Sequence, residues 1–237
     1  MARYACSDLH GNYNLYEQIK DFIKLEDIVY FLGDAGDRGH DSYKTICAIL
    51  DNPQFIYIKG NHEQMLEDCI SAWCLNNLYD TLQTNRDLNN AEYLLWANGG
   101  ELTFYEWMND PNKEERYEQL KKLIYADSYI NTDGETIVLS HAGYTPYKNQ
   151  VPPSDHQLVW DRKHMKDMWD EFNFRKVYMV HGHTPICAVT KNQDQEIYQY
   201  ANGHKLDIDN CTFITNRTIL LNLDTFTYKV FEDTSCK

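Results

Sequence analysis

Five short blocks along the chain place metal-binding residue types beside glycines: Asp8-Leu9-His10-Gly11, Gly33-Asp34-Ala35-Gly36-Asp37-Arg38-Gly39, Gly60-Asn61-His62-Glu63, Ser140-His141-Ala142-Gly143 and His181-Gly182-His183-Thr184. Carboxylate, imidazole and carboxamide groups are the oxygen and nitrogen donors that hard and borderline dications take. Each block follows a short apolar run. In series, the five predict loops at one edge of a sheet, converging on a two-metal site of the kind that hydrolyses phosphate esters.

Taken singly, the blocks are less decisive. Asp8 and His10, two residues apart after a strand, can aim at one cation, but a lone Asp-x-His is common by chance. Asp34 has two oxygens and can bridge two dications, offsetting their repulsion. Arg38 offers a planar fork to phosphate oxygens, and Asp37 can orient that arginine or a histidine. An ordinary surface turn with an Asp–Arg ion pair is the competing account of this block. Asn61 can ligate through its amide oxygen, or cap the helix that follows, where Glu63 would suit the helix dipole. His62 is a candidate general acid, with Asp37 a partner that would raise its pKa. His141 and His183 each end a strand and offer neutral nitrogens to a second metal. Strand alternation points His181 away from the site. His40, His156, His164 and His204 lack partners at ligand spacing and read as surface or structural. Arg162, in Trp160-Asp161-Arg162, is a second candidate phosphate clamp, with a surface ion pair as the alternative.

These loops need strands to carry them. Arg3 to Ser7, Asp27 to Leu32 and Phe55 to Ile58 read as buried strands, each leading into a block. Helical spacing of Leu15, Ile19, Phe22 and Ile23, and of Ile46, Ile49 and Leu50 behind a possible Asp41 cap, supplies the crossovers of parallel βαβ units. In such sheets ligands bind beyond the carboxyl ends of the strands. From about Gln64 to Glu135 the apolar spacing is mainly helical, with Asn98-Gly99-Gly100 as a helix stop, so this stretch predicts an insertion beside the sheet. Strands resume at Thr136 to Leu139 and Val177 to Val180. Ile197 to Tyr200, Leu206 to Ile208, Ile219 to Leu223 and Tyr228 to Phe231 read as antiparallel strands. Trp96, Phe104, Tyr105 and Trp107 read as core of the insertion, with a partner surface as the alternative. The expected architecture is one α/β domain over residues 1–237, a four-layer αββα sandwich with mixed sheets and a helical insertion over 64–135.

The length of 237 residues suffices for one large core. A formal charge of −14 argues against non-specific nucleic-acid binding. No apolar stretch approaches ~18 residues, so no membrane span is expected. Met1 to Cys6 lead directly into the first block, which predicts no removable leader. The seven cysteines are odd in number, scattered and without Cys-x-x-Cys spacing, a pattern of reduced thiols in a cytoplasm.

Together the blocks resemble the calcineurin-like metallophosphoesterases. Gly-Asp-x-x-Asp-Arg-Gly with Gly-Asn-His-Glu narrows the resemblance to the phosphoprotein phosphatase family and its bacterial and phage-type members. It implies a β-sandwich flanked by helices and a two-metal centre. The implied metal is manganese, with iron and zinc compatible with the same donors. Asp8, His10 and Asp34 would hold the first metal; Asp34, Asn61, His141 and His183 the second. His62 would be the general acid with Asp37 behind it, and Arg38 and Arg162 would bind phosphate. Two departures stand out. Ala35-Gly36 replaces a larger apolar residue, which would loosen that loop, and Asp207-Ile208-Asp209-Asn210-Cys211 lacks the family's glycine-rich continuation at the cleft rim.

The implied reaction is in-line attack on phosphorus by a hydroxide bridging the two metals, with no essential cysteine. The expected substrate is a phosphoserine or phosphothreonine side chain of a protein. The alternatives are symmetrical hydrolysis of dinucleoside tetraphosphates, another small-molecule phosphatase or phosphodiesterase, and a scaffold that has lost catalysis. Pro185, where a further histidine would add a ligand, argues against a phosphodiesterase-type shell. The expected partner is a phosphorylated protein or small molecule, not nucleic acid or a membrane.

Overall fold

Alternate residues of the first strands face opposite ways, and this divides the core in two. Cys6, Val29, Phe31, Tyr57 and Leu220 point to one side and pack with helical residues such as Leu15, Ile19, Ile46 and Leu66. Their neighbours Ala5, Tyr30, Leu32, Ile58, Ile219 and Leu221 point to the other side, against Ile137, Leu139, Val180 and Leu206 of a second sheet. A strand period of two thus yields helices on one face and a sheet on the other.

The computed structural model describes residues 1–144, 152–166 and 176–235. In chain order its first elements are β1 (Arg3–Cys6), α1 (Tyr13–Phe22), β2 (Ile28–Phe31), α2 (Ser42–Leu50) and β3 (Phe55–Tyr57). Four helices follow: α3 (Asn61–Tyr79), α4 (Leu82–Ala97), α5 (Glu101–Asn109) and α6 (Lys113–Lys121). Next come β4 (Ala126–Ile130), β5 (Thr136–Ser140), α7 (Asp155–Trp160), β6 (Val177–His181) and α8 (Ile186–Thr190). The last are β7 (Tyr198–Tyr200), β8 (Lys205–Asp207), α9 (Thr212–Thr215), β9 (Arg217–Asn222) and β10 (Tyr228–Glu232).

The first sheet has the order β10-β9-β1-β2-β3 and the second β4-β5-β6-β8-β7. β1, β2 and β3 run parallel, with β9 and β10 antiparallel beside them. β5, β6 and β8 also run parallel, between antiparallel edges β4 and β7. The α/β sandwich of mixed sheets is therefore as the sequence implied. On the outer face of the second sheet, α7 and the 3-10 turn Lys163–Lys166 bring His164 against His181 at the end of β6.

Three local expectations need correction. The stretch 64–135 ends in a strand: β4 pairs with β5 through a turn at Asn131 to Gly134. Ala126-Asp127-Ser128 carries little apolar alternation because β4 is an edge strand. β8 is not antiparallel to everything around it; it returns beside β6 in parallel after the α8 crossover. The N-cap of α3 is Gly60, not Asn61, and Asp41 occupies the N-cap position of α2 without a side-chain capping bond. Asn12 does cap α1, accepting the Leu15 N–H at 3.1 Å.

Phe104 and Trp107 are buried, so the aromatic group of the insertion is core, with Tyr105 half exposed beside it. Six of the seven cysteines are free, and Cys236 lies outside the described residues. No helix among the described residues is long and apolar enough to cross a membrane.

Candidate metal centre

Every parallel strand delivers its carboxyl end to the same edge. β1 leads to Asp8 and His10, β2 to Asp34, Asp37 and Arg38, β3 to Asn61 and His62, β5 to His141 and β6 to His183. Asp8, His10, Asp34, Asp37, Asn61, His62, His141 and His183 are all buried. Six site residues sit in the left-handed region: Asp8 (φ 54°), His10 (45°), Asp34 (59°), Asp37 (65°), Arg38 (69°) and His183 (69°). Each such residue costs of order 1–3 kcal/mol, which surrounding bonds must offset.

Those bonds are visible. The loops after β1 and β2 zip together through Asp8 N–H to Gly33 O (3.0 Å), His10 N–H to Asp34 O (3.0 Å) and Gly11 N–H to Ala35 O (2.7 Å). Glu63 then locks the second loop onto the third. Its carboxylate accepts the N–H groups of Asp34 (2.8 Å), Ala35 (2.9 Å) and Gly60 (2.8 Å) and the Tyr57 hydroxyl (2.7 Å). Ala35-Gly36 is therefore pinned, and Gly36 O also accepts from His10 Nδ1 at 3.0 Å. A helix-dipole role for Glu63 understates this; its main work is to hold the backbone of the Asp34 loop.

Asp34 stands at the middle. Its Oδ1 lies 3.3 Å from His141 Nε2, and its Oδ2 lies 3.9 Å from His10 Nε2 and 3.8 Å from His62 Nε2. Two donor groups share it: His10, Asp34 and His62, and Asp34, His141 and His183, each with ligand atoms within 4.8 Å of one another. Asn61 Oδ1 completes the second group, 2.9 Å from His141 Nε2 and 2.7 Å from His183 Nδ1. Asp8 belongs to neither group. Its carboxylate accepts from the Ser7 hydroxyl and, at 3.2 Å, from the His183 N–H. Gly182 makes this approach possible, because a β-carbon there would lie 2.1 Å from the Asp8 carboxylate.

The electrostatics suit cations. Burial raises the Asp8 carboxyl well above its ordinary pKa, and Asp209 raises it further. Burial pushes Asp209 itself up to about 6. Burial also works against ionisation of Asp34, but His141, His62 and His10 outweigh it and hold its pKa well below normal. Burial would lower His141, yet Asp34 raises it to about 9, so a protonated imidazole stands where a cation would serve the same carboxylate. Burial pushes the pKa of His10 and of His183 well down, which favours their neutral forms. His183 Nε2 is buried without a hydrogen-bond partner. Crowded carboxylates, neutral imidazoles and an unpartnered ring nitrogen fit a divalent metal pair.

His62 and Arg38 flank this centre. His62 Nδ1 lies 2.6 Å from Asp37 Oδ2, and Thr103 donates its hydroxyl to the other Asp37 oxygen at 2.7 Å. Arg38 aims its two terminal nitrogens at His10 Nε2 and His62 Nε2, both at 3.1 Å. Its N–H donates to Gly99 O at 3.1 Å. Thr103 and Gly99 belong to the helical insertion, which thus buttresses the Asp37-Arg38 turn. Arg162 is exposed and donates to His183 O at 3.2 Å, so it is near the centre but spent on backbone.

Two features escaped the sequence reading. Asp209, read from the sequence only as part of the cleft rim, follows β8 as the earlier blocks follow their strands and adds its charge beside Asp8. Behind the metal donors, the Tyr200 hydroxyl joins His181 Nε2 (2.7 Å) to His164 Nδ1 (2.9 Å). His164 is fully buried in this cluster, and His181 does face away from the donors. Gly143 (φ 71°) leaves the room, since a β-carbon there would meet His164 at 2.9 Å and His181 at 3.0 Å.

Comparison with known proteins agrees with this geometry. Serine/threonine-protein phosphatase 2 of Escherichia coli (strain K12) is 24% identical over 237 residues, covering 98% of this chain and 86% of the relative. The fold is shared with a candidate diadenosine tetraphosphatase at TM-score 0.62 and 14% identity, over 98% of this chain and 94% of that one. It is also shared with a protein serine/threonine phosphatase from Saccharomyces cerevisiae, at TM-score 0.59 and 12% identity, over 99% and 81% of the two chains. With the calcineurin-like phosphoesterase family model matching residues 1–187, the chain belongs to the calcineurin-like phosphoesterases.

Proposed function

We propose that this chain is a single-domain, metal-dependent phosphomonoesterase whose principal substrates are phosphoserine and phosphothreonine side chains of proteins. The observation that carries this is the His62–Asp37 pair at 2.6 Å beside Asp34, the carboxylate shared by two donor groups. A proton donor thus stands next to a site for two cations, the arrangement that a hydrolase needs at a leaving oxygen. The Escherichia coli relative, a serine/threonine-protein phosphatase, supports the choice of substrate.

Asp8, His10 and Asp34 would hold one divalent ion; Asp34, Asn61, His141 and His183 would hold the other. Such a pair lowers the pKa of a water toward neutrality and neutralises phosphoryl charge. Manganese is the proposed metal, and the cytoplasm the proposed compartment, on the strength of the scattered free cysteines. The chain's own groups do the rest. Arg38 grips phosphoryl oxygens with a fork pointed at the centre. Arg162 joins it by leaving the His183 carbonyl. His62 gives the proton on Nε2 to the departing oxygen while Asp37 keeps hold of Nδ1.

The test is phosphate release by metal-stripped protein resupplied with manganese, on a phosphothreonine peptide and on diadenosine tetraphosphate. Turnover of the peptide is expected. Turnover of the nucleotide alone would replace this reading by nucleotide hydrolysis, and silence on both would discard it. His62→Asn separates acid from ligand: turnover should fall with both metals retained, whereas loss of metal would make His62 a ligand, as its place beside His10 and Asp34 allows.

A further inference from the structure

Behind the donor groups, three rings form a chain of hydrogen bonds that runs into the backbone of the metal centre. The Tyr200 hydroxyl lies 2.7 Å from His181 Nε2 and 2.9 Å from His164 Nδ1. His181 Nδ1 lies 2.9 Å from the Gly182 carbonyl oxygen. Both imidazoles are fully buried, where Gly143 leaves room for them.

The direction of each bond follows from what each atom can do. A carbonyl oxygen only accepts, so His181 Nδ1 carries a proton and donates to Gly182. Burial lowers the pKa of both imidazoles, which favours their neutral forms. In a neutral ring His181 Nε2 is then an acceptor, and the Tyr200 hydroxyl donates to it. The Tyr200 oxygen accepts in turn from His164 Nδ1. His164 Nε2 is left with a lone pair, and that nitrogen has no partner among the described residues. The reverse direction would need a buried imidazolium at His181.

The Gly182–His183 peptide carries the chain of bonds into the centre. Its carbonyl accepts from His181 and from the Thr184 N–H (2.8 Å), and its N–H donates to the Asp8 carboxylate at 3.2 Å. A peptide unit is planar, so holding its oxygen aims its N–H. Gly182 also gives its own N–H to His141 O at 2.8 Å. His183 sits in the left-handed region (φ 69°), a conformation that its surroundings must hold.

We propose that Tyr200 is a positioning residue: its hydroxyl fixes the His181 ring, and through the Gly182–His183 peptide it holds Asp8 and His183 ready for the metal pair. The proposal rests on the ligand assignment above. Tyr200 lies outside both donor groups and acts on them only through this peptide.

The experiment titrates the metal-stripped full chain with manganese and reads the free ion by electron paramagnetic resonance. Tyr200→Phe keeps the ring and removes the hydroxyl, and its manganese affinity should fall about tenfold or more. His164→Asn, whose amide N–H can still donate to the Tyr200 oxygen, should bind manganese as the parent does. A packing role alone would lower the unfolding temperature of metal-free Tyr200→Phe and leave its affinity unchanged. That result would overturn the inference and leave the ligand assignment standing. Nitrogen NMR of the metal-free parent is a check that needs no variant. His181 should carry its proton on Nδ1, and a proton on Nε2 would overturn the inference. A parent that binds no manganese would remove the ligand assignment and the inference together.

Discussion

His62 Nδ1 and Asp37 Oδ2 lie 2.6 Å apart in a buried pair, and the second oxygen of that carboxylate is fixed by Thr103 from the helical insertion. Burial pulls the His62 pKa down, but Asp34 and Asp37 more than offset it, so the ring is held above its ordinary value. On the proposed assignment Asp34 is taken up by metal, which leaves Asp37 as the main partner. Asp37→Asn removes that charge, so His62 loses its proton at lower pH. A general acid must be protonated to act, and the alkaline limb of the kcat profile should therefore move to lower pH. Turnover above neutrality should fall roughly ten- to a hundred-fold with metal content unchanged. An unmoved alkaline limb would remove Asp37 from the role.

Asp34 makes the strongest metal prediction. Both donor groups include it, and three histidine nitrogens lie within 3.9 Å of its oxygens. Asp34→Asn keeps the shape and removes the charge that separates two dications. Turnover should be lost and both metals should bind more weakly, as read by metal analysis after dialysis. A variant that keeps two metals and full activity would refute the bridging role.

Glu63 tests how far the site depends on one buried clamp. Three backbone N–H groups and one hydroxyl converge on its carboxylate at 2.7–2.9 Å. In Glu63→Gln, an amide nitrogen faces those donors and leaves at least one unsatisfied, at a cost of about 1–3 kcal/mol. For a chain of this size that corresponds to a Tm lower by roughly 3–10 °C. Because the Asp34 loop loosens, manganese should also restore less stability to the variant than to the parent. An unchanged Tm would mean that the clamp is dispensable.

The sequence disclosed which residues gather at the centre because they stood at the ends of apolar strands, and strand ends are where a parallel sheet puts its ligands. Asp34, His141 and His183 were legible for that reason. Local pattern could not say what holds a donor from a distant part of the chain. Thr103 reaches Asp37, and Tyr200 reaches His164 and His181, only through tertiary folding. Glu63 was read as a helix residue because helix position is a local property, whereas its four donors come from three elements. The edge strand β4 and the parallel return of β8 were lost for a related reason. Strand pairing is decided between segments, and neither Ala126-Asp127-Ser128 nor Lys205-Leu206-Asp207 states its partner.

His164 gives a pH prediction independent of the metal donors. Its ring is fully buried, bonded through Nδ1 to Tyr200, with His181, Lys205 and Asp161 around it. Burial, reinforced by the Lys205 ammonium, lowers its pKa from 6.5 to about 4. The unfolded chain therefore takes up a proton before the folded one, and stability must decline as pH falls. The contribution is complete above about pH 6.5 and is progressively lost on the way down to about 4. Between about pH 7.5 and 5 this single group accounts for roughly 2 kcal/mol of lost stability. His164→Asn keeps a polar partner for Tyr200 and removes the titration. Urea unfolding of the metal-free variant should show a shallower fall across that range than the parent, by about that amount. Equal slopes would place the proton elsewhere and leave His164 with only its hydrogen bond.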